Sequence, residues 1–511
     1  MFLRKKKNKS GSTSIQIISK KQGKYKVVQT IGCAKAEQDI TLLEYQGKQE
    51  ILRLQSQSEL FIDEADASIE YFLQQLQNAQ IRVVGPELIF GKIYDRIGFK
   101  AIEEDLFRHL VISRLSFPLS KLKTIDYLYR FQGVSLEISS VYRFLDRLNN
   151  RLKEQVEQIS FRHTLKVLKG RINVVFYDMT TLYFEASDED DLRKTGFSKD
   201  GKHQNPQIFL GLLVGLGGYA IGYDIFEGDI YEGHTLIPFI EKISEKFNLT
   251  RPVVVADAGL LSKDNIKALE EQGYEYILGA RIKSESEEMK QKILSANLGD
   301  GKAKALKKEN HRRLIIAYSD KRAGKDRHNR TRGLQRLEKQ LKRGKLTKAS
   351  INNRGYNKYL KLKGKVDVEI DYDKYQQDQQ WDGLKGYVTN TKFRSARVID
   401  SYRNLWHIER AFRMSKTDLK IRPIYHRLRR RIEAHICISF VAYTIFKELE
   451  RVLYREKSSI SIKQAAELTH NMYQLTVTLP KSKHTKDILL RMDVQQVELK
   501  KIVDENFRVS H

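Results

Sequence analysis

The sequence predicts an α/β fold built around a sheet that carries a pair of acidic residues, and three observations predict it. From Arg171 onward, short apolar runs of strand character alternate with helical stretches. One such run, Val174–Val175–Phe176–Tyr177, leads into Asp178 and a small polar turn. Another, Val253–Val254–Val255–Ala256, leads into Asp257 and a small-residue turn. Two strands that end alike predict one shared site at the carboxyl ends of neighbouring strands, where α/β sheets build their sites.

Length and charge set the class. A chain of 511 residues buries a large core and holds more than one structural unit. With 41% hydrophobic and 31% charged residues it reads as globular. Lys and Arg number 92 against 64 Asp and Glu, a net charge of +28 that favours a polyanionic partner, nucleic acid ahead of an anionic membrane surface. Cys33 and Cys437 are too few for a disulfide framework or a Cys-based zinc site, so a reducing cytoplasm is expected. The basic start Met1–Lys7 lacks the apolar run of a signal peptide. Ile208–Tyr223 is broken by five glycines, and Ile436–Phe446 is too short to span a bilayer core of ~30 Å. They read as a β-hairpin and a buried helix, and no membrane is expected.

In chain order, residues 14–55 alternate apolar and polar with Gly at the joints, which predicts a small N-terminal β-sheet within residues 1–60. A helical pattern runs from Ser58 to Ala79 and again from Phe99 to Phe161, giving a helical domain over 61–168. Within it, Leu119–Gln132 and Ile138–Leu152 flank a turn at Gly133 and resemble a helix-turn-helix. Tyr142, Arg143, Arg147, Asn149 and Asn150 lie on its second helix, where Arg and Asn suit base edges in a major groove. Plain helical packing or dimerisation reads the same pattern more readily.

The first part of the core, 169–283, is expected to hold strands at 172–178, 207–214 and 219–226, the last two joined through Gly217–Gly218. A helix at 234–247, a strand at 252–256, a helix at 262–272 after a Ser262 cap and a strand at 274–279 follow. Three antiparallel strands, then helix, strand, helix, strand, is an RNase H-like order. Close carboxylates at such strand ends repel unless a cation joins them. Oxygen ligands without Cys or paired His favour Mg²⁺ or Mn²⁺ over zinc.

Residues 284–384 interrupt this pattern. From Lys321 to Lys365 there are 17 Lys and Arg against Asp326 and Glu338, a charge of +15 suited to a phosphate backbone. Arg322, Lys325 and Arg330 belong to this stretch as candidate DNA contacts. The last core segment, 385–455, opens on a strand at 386–390 and then supplies a third acid, Glu409. At uninterrupted helical spacing Tyr402, Glu409, Arg413 and Lys416 share one face, with Leu405, Ile408 and Phe412 inward. Arg403 to Arg431 holds ten Lys and Arg against two acids, a second footprint for DNA. Residues 456–511 form a C-terminal region of mixed helix and strand.

At this point the chain resembles the bacterial insertion-sequence DDE transposases of the IS-four superfamily. The motifs run in order: Phe176–Tyr177–Asp178–Met179–Thr180–Thr181, Asn205–Pro206–Gln207, Phe226–Glu227–Gly228–Asp229, His234–Thr235–Leu236, Val255–Ala256–Asp257–Ala258–Gly259, Tyr318–Ser319 with Arg322–Ala323, and Ile408–Glu409–Arg410–Ala411–Phe412. They span roughly 170–450.

The resemblance implies an RNase H-like catalytic core interrupted by a largely β-stranded insertion. It implies that Asp178, Asp257 and Glu409 are catalytic and hold two Mg²⁺ ions, with Mn²⁺ able to substitute. Tyr402, Glu409 and Lys416 match the spacing of the family's helix motif, whereas position 405 is Leu where the family has Arg, so that Arg403 or Arg413 would supply the contact to DNA. The implied activity is cut-and-paste transposition, in which the ends of the insertion sequence are cleaved and their 3′-OH groups transferred to target DNA. Its partners would be double-stranded DNA, as terminal inverted repeats and target, and a second copy of the chain in a homodimer. The setting would be cytoplasmic and nucleoid-associated. An RNase H-like nuclease or resolvase without strand transfer, and a non-catalytic DNA-binding derivative, are the alternatives.

Overall fold

The computed structural model describes residues 1–21, 23–54, 69, 70, 72–74, 76–196, 198, 201–260, 262–352, 355–363, 367–479 and 482–508. They form two compact units. The smaller comprises residues 1–82 and 473–490. Its strands β1 (Phe2–Lys7), β2 (Thr13–Lys21) and β3 (Lys24–Ala34) make an antiparallel sheet. The alternation expected over 14–55 stops at Ala34, and Glu37–Leu54 is instead a helix, α1. Ile40, Leu43, Gly47 and Ile51 recur there at helical spacing, and Gly47 lets α1 approach Leu3 and Ile31. The helix expected at 58–79 lies largely outside the described residues. A second sheet joins β4 (Ile81–Val83), β15 (Tyr473–Thr478) and β16 (Thr485–Leu489) in the order β16-β15-β4.

The larger unit, 83–472 with 491–511, holds, after a short helical stretch over 87–97, helices α2 (Asp105–Ser116), α3 (Lys121–Tyr127), α4 (Ile138–Arg147) and α5 (Lys153–Val167). A mixed sheet of eight strands follows. Its members are β5 (Val174–Tyr183), β6 (Gln207–Val214), β7 (Ala220–Glu227), β8 (Val253–Ala256), β9 (Tyr276–Ala280), β10 (Ala303–Lys307), β11 (Arg313–Tyr318) and β14 (Leu384–Thr389). They lie in the order β10-β11-β14-β9-β8-β5-β6-β7, and β5–β8 and β8–β9 pair in parallel. Helix α6 (Leu236–Phe247) leads from β7 to β8 and α7 (Lys263–Glu271) joins the parallel β8 and β9, and the Ser262 hydroxyl accepts from Asn265 N–H to start α7.

Strand alternation divides the core between the two faces of this sheet. Val175, Tyr177, Val254 and Ala256 pack on one face with Phe239 and Ile240 of α6. Phe176 and Val255 pack on the other with Tyr402, Leu405, Ile408 and Phe412 and with the apolar length of α11 (Arg429–Arg455). Among the described residues no helix is long and apolar enough to cross a membrane.

The segment 284–384 departs from the expected β-stranded insertion. Its longest element is a helix of 23 residues, α8 (Asp320–Lys342). Two of its strands, β10 and β11, extend the main sheet beyond β14, and only β12 (Leu360–Lys363) and β13 (Asp367–Ile370) pair apart from it. The sequence explains this in hindsight: Leu334, Leu337 and Leu341 recur at helical spacing among the basic residues, and Leu337 is buried beside Tyr359, Leu360 and Ile370.

Helix α11 anchors the helical layer through charged pairs as well as apolar contacts. Glu448, almost fully buried, accepts from Arg451 at 2.6 and 2.9 Å and lies 3.4 Å from His163 of α5. Burial opposes its charge, but Arg451 and His163 outweigh that and hold the carboxyl at about 2, below the ordinary 4.5. A depressed carboxyl adds stability that is present above the unfolded value and is lost as pH falls from about 4.5 towards 2. Glu448→Gln is therefore expected to cost about 1–2 kcal/mol at neutral pH and to flatten the loss of stability on acidification. Urea unfolding at pH 7 and near pH 4 checks both.

Candidate active site

The site begins with strand register. In the parallel pairing of β5 with β8, Tyr177 lies opposite Ala256, so Asp178 and Asp257 follow immediately on adjacent strands. Both continue the alternation of Phe176 and Val255 and so belong to the face covered by Tyr402, Leu405, Ile408 and Phe412. One expectation needs correction. β5 does not end at Asp178 but runs on to Tyr183, paired with β6 through Asp178 opposite Leu212 and Tyr183 opposite Gln207. What ends there is the parallel partner β8, which stops at Ala256. Asp178 is half-buried and Asp257 exposed.

The Asp257 carboxylate is held from the opposite side of the sequence. Tyr402 lies in α9 (Ser395–Arg403), is 5% exposed, and donates its hydroxyl to Asp257 Oδ1 at 2.8 Å. Gly279 of β9 makes room for that hydroxyl, since a Cβ at 279 would stand 2.5 Å from it. Burial, then the nearby Asp257 charge, raises the Tyr402 hydroxyl well above its ordinary value, so it remains a donor. The Lys385 ammonium lies over the Tyr402 ring, 4.4 Å from its centroid. Burial and the neighbouring Arg322 lower the Lys385 ammonium, while Asp257 and Glu409 favour its charge. Neither Gly279 nor Lys385 had a motif to mark it; each is an ordinary strand residue until Tyr402 is placed across from it.

Glu409 lies in α10 (Trp406–Arg413), which packs against β5 and β6. The expected continuous helix over 402–416 is broken. Asn404 and Leu405 form a turn between α9 and α10, with Leu405 N–H bonded to Tyr402 C=O and His407 N–H to Asn404 C=O. A wider π-turn follows over Met414–Asp418. The tight turn and the π-turn shift the helical phase, so Tyr402, Glu409, Arg413 and Lys416 do not form the single stripe that uniform spacing predicts. Glu409 still acts electrostatically on both Tyr402 and Lys385, which ties it to the surroundings of Asp257. Among the described residues, no three His, Cys, Asp or Glu are gathered into a ready metal cluster. The donors fit a hard divalent cation in chemistry, being carboxylate oxygens, and Asp178 and Asp257 follow on adjacent strands.

The candidate DNA contacts divide into exposed and occupied groups. Arg403 and Arg413 are exposed, Arg403 lying 3.5 Å from Asp400 of its own helix. Lys416 is half-buried and lies in the π-turn. Arg322 and Lys325 are exposed on α8, with Arg322 3.5 Å from Asp326. Arg330 is buried, paired with Asp382 and set over the Tyr375 ring, so its charge is spent within the fold. At the start of α11, Arg430 and Arg431 share Asp146 and Arg429 pairs with Glu433, while Arg429 and Arg430 remain exposed. On α4, Arg147 pairs with Glu104 while Arg143 is exposed. Trp381 is buried in the core under the sheet, and burial lowers the His407 ring to about 4, leaving it neutral near pH 7.

A cavity of about 760 Å³ opens beside Asp257, lined by Arg281, Lys283, Arg322, Lys358 and Lys385 together with Tyr402.

Residues 169–445 match the model of a family described as the transposase DDE domain. Among solved structures, the piggyBac transposase synaptic complex with hairpin DNA is similar over 76% of this chain and 78% of that one, at 8% identity and a TM-score of 0.38. The Mos1 transposase paired-end complex with left transposon end is similar over 46% of this chain and 72% of that one, at 10% identity and a TM-score of 0.16. No curated protein matches the chain.

Tyr402→Phe deletes the donor to Asp257, and Gly279→Ala drives that donor away. Each is expected to weaken Mn²⁺ binding about tenfold, measured by calorimetry, with little change in the folded sheet. Unchanged affinity in both would show that Tyr402 does not orient the carboxylate.

Proposed function

The chain belongs to the transposase DDE-domain family, and from that premise we propose that Asp178, Asp257 and Glu409 form its catalytic site. It is a transposase, an enzyme of metal-dependent DNA cleavage and strand transfer. The observation that carries the assignment is the register of β5 and β8, which brings two carboxylates to one face, with the helix of Glu409 packed across β5 and β6. In our reading the order β7-β6-β5-β8-β9, three antiparallel strands then two parallel ones, is an RNase H-like core. The boundaries that we propose for it are 169–283 and 385–455, with 284–384 as the basic insertion. The helical stretch 61–168 then serves DNA binding or dimerisation.

Two Mg²⁺ ions held by these carboxylates would activate an attacking hydroxyl and stabilise the leaving oxygen at phosphorus. The chain's own groups do the rest. Tyr402 fixes one Asp257 oxygen, leaving the other to hold a divalent cation. Arg322, Lys325, Arg403, Arg413 and Lys416 hold DNA phosphates around the site. Leu405 is buried at 7% exposure, so the contact that related chains make from that position falls here to exposed Arg403 or Arg413. The substrates in this reading are terminal inverted repeats and target DNA, cut and pasted by a homodimer of the IS-four type.

The test uses duplex DNA carrying the sequences that flank the gene, with Mg²⁺. Asp178→Asn, Asp257→Asn and Glu409→Gln are each expected to lower cleavage by about 100-fold or more while DNA binding persists. Full activity in all three would remove the site assignment. Joining of the cut 3′ ends to a second DNA separates a transposase from a nuclease that only cuts.

A further inference from the structure

A second pocket, of about 460 Å³, lies among α2, the start of α3, α4 and the chain 420–426 that follows Glu409's helix. Its lining is cationic. Arg114 and Lys121, 5% and 6% exposed, stand with His426, His435 and the exposed Lys123 and Lys420, and no Asp or Glu lines it. The Arg114 guanidinium reaches only the carbonyls of Leu419 and Lys420, at 3.3 and 3.4 Å. His435 donates Nε2–H to the Ile421 carbonyl at 2.9 Å.

Lys121 and Arg114 differ from the other inward-facing cations of this unit. Arg330 is answered by Asp382, Lys153 by Glu433 and Arg431 by Asp146. Burial without a counter-charge is costly, and here it depresses the buried members of the group: Arg114 is lowered to about 10, His426 to about 3, and Lys121 and His435 well below their ordinary values, with burial the largest cause. An anion entering from the mouth at Lys123 and Lys420 would supply the missing charge. Arg422 also lines the pocket, so five Lys and Arg surround a space without an acid. A phosphate group, with several acceptor oxygens around one centre, suits convergent donors that include the hydroxyls of Ser120 and Tyr142. The volume leaves room for the sugar attached to it.

We propose that this pocket binds a phosphate group. Its position indicates the source. The chain beside it is tied to the end of β5, where Ile424 N–H bonds to the Tyr183 carbonyl at 3.2 Å. From Asp178 to Tyr183 the strand advances roughly 16 Å, about five base steps of duplex DNA. β5 itself is buried, but DNA bound at the catalytic site would carry a phosphate to the pocket about that many steps away; this choice of a DNA phosphate over a free phosphorylated molecule rests on the transposase reading, whereas the phosphate chemistry does not.

Thermal unfolding of the full chain in inorganic phosphate and in chloride at equal ionic strength tests the pocket. The wild-type protein is expected to gain about 2 °C or more in phosphate. Lys121→Met is expected to lose that gain and to melt higher in chloride, its unpaired buried charge removed. Lys121→Gln, which keeps a polar side chain of similar reach, serves as a second variant and should also lose the gain. An equal phosphate response in wild type and both variants overturns the proposal. A salt titration of duplex binding then identifies the source. A slope of log K against log salt that is less steep by about one in Lys121→Met assigns the phosphate to DNA. An unchanged slope with the phosphate response lost assigns it to a free phosphorylated molecule. Neither measurement involves cleavage, so failure of the Asp178 assignment leaves this result standing.

Discussion

Parallel pairing of β5 with β8 brings Asp178 and Asp257 to neighbouring strands on one face of the sheet, and carboxylates at a strand spacing of about 4.8 Å repel. At an effective dielectric of about 20 that repulsion is about 3.5 kcal/mol, less where water reaches the groups. One charge-assisted hydrogen bond, about 1.5–3 kcal/mol, offsets much of it at Asp257. It does nothing for the summed negative charge, which only a cation balances. Lys385 supplies part of that balance, at the expense of its own burial. A fold that keeps two such acids together and draws an ammonium towards them is arranged to stabilise positive charge at that edge of the sheet.

The arrangement depends on elements far apart in sequence. Tyr402 reaches Asp257 because β9 carries Gly279, the residue without a Cβ, where any other would meet the hydroxyl. The break at Asn404–Leu405 has a related function. A straight helix from Ser395 to Arg413 would carry Tyr402 and Glu409 on one line along a single axis. The turn lets α9 lie over β9 and β14 while α10 lies over β5 and β6. Tyr402 and Glu409 thus approach the acid pair from two directions, and buried Leu405 pins the corner between them.

How much of this was legible in the sequence depended on the range of the interaction responsible. The strands and helices between Val174 and Ala280 follow from local alternation and capping, and their positions agree with the sequence to within a few residues, except that β5 outlasts Asp178. Its extension is stabilised by β6 rather than by its own composition, a pairing that no periodicity within β5 can report. The insertion was misjudged because its many Lys and Arg hide a sparse leucine repeat, Leu334, Leu337 and Leu341, behind a polar average. The motif around Glu409 predicted the acid but not the break, since Leu405 is equally at home within a helix and at a corner. Gly279 and Lys385 carried no signal at all. Their importance arises only when strands 100 residues apart lie side by side.

The charge of the chain shows the same limit from another side. A count of Lys and Arg treats Arg430, Arg330 and Lys121 alike, yet they differ in what the fold has done with them. Arg330 is answered by Asp382, whereas Arg430 shares the single charge of Asp146 with Arg431. Arg322, Lys325 and Arg413 are exposed and act at a distance limited by a screening length of about 8 Å, which suits gathering DNA without regard to sequence. Lys121 and Arg114 are neither answered nor exposed. Screening by salt is weak where water is excluded, so a charge left there keeps its full demand for a partner. Gathering a polyanion and fixing one of its phosphates are therefore different tasks within the same net charge of +28, and burial separates them.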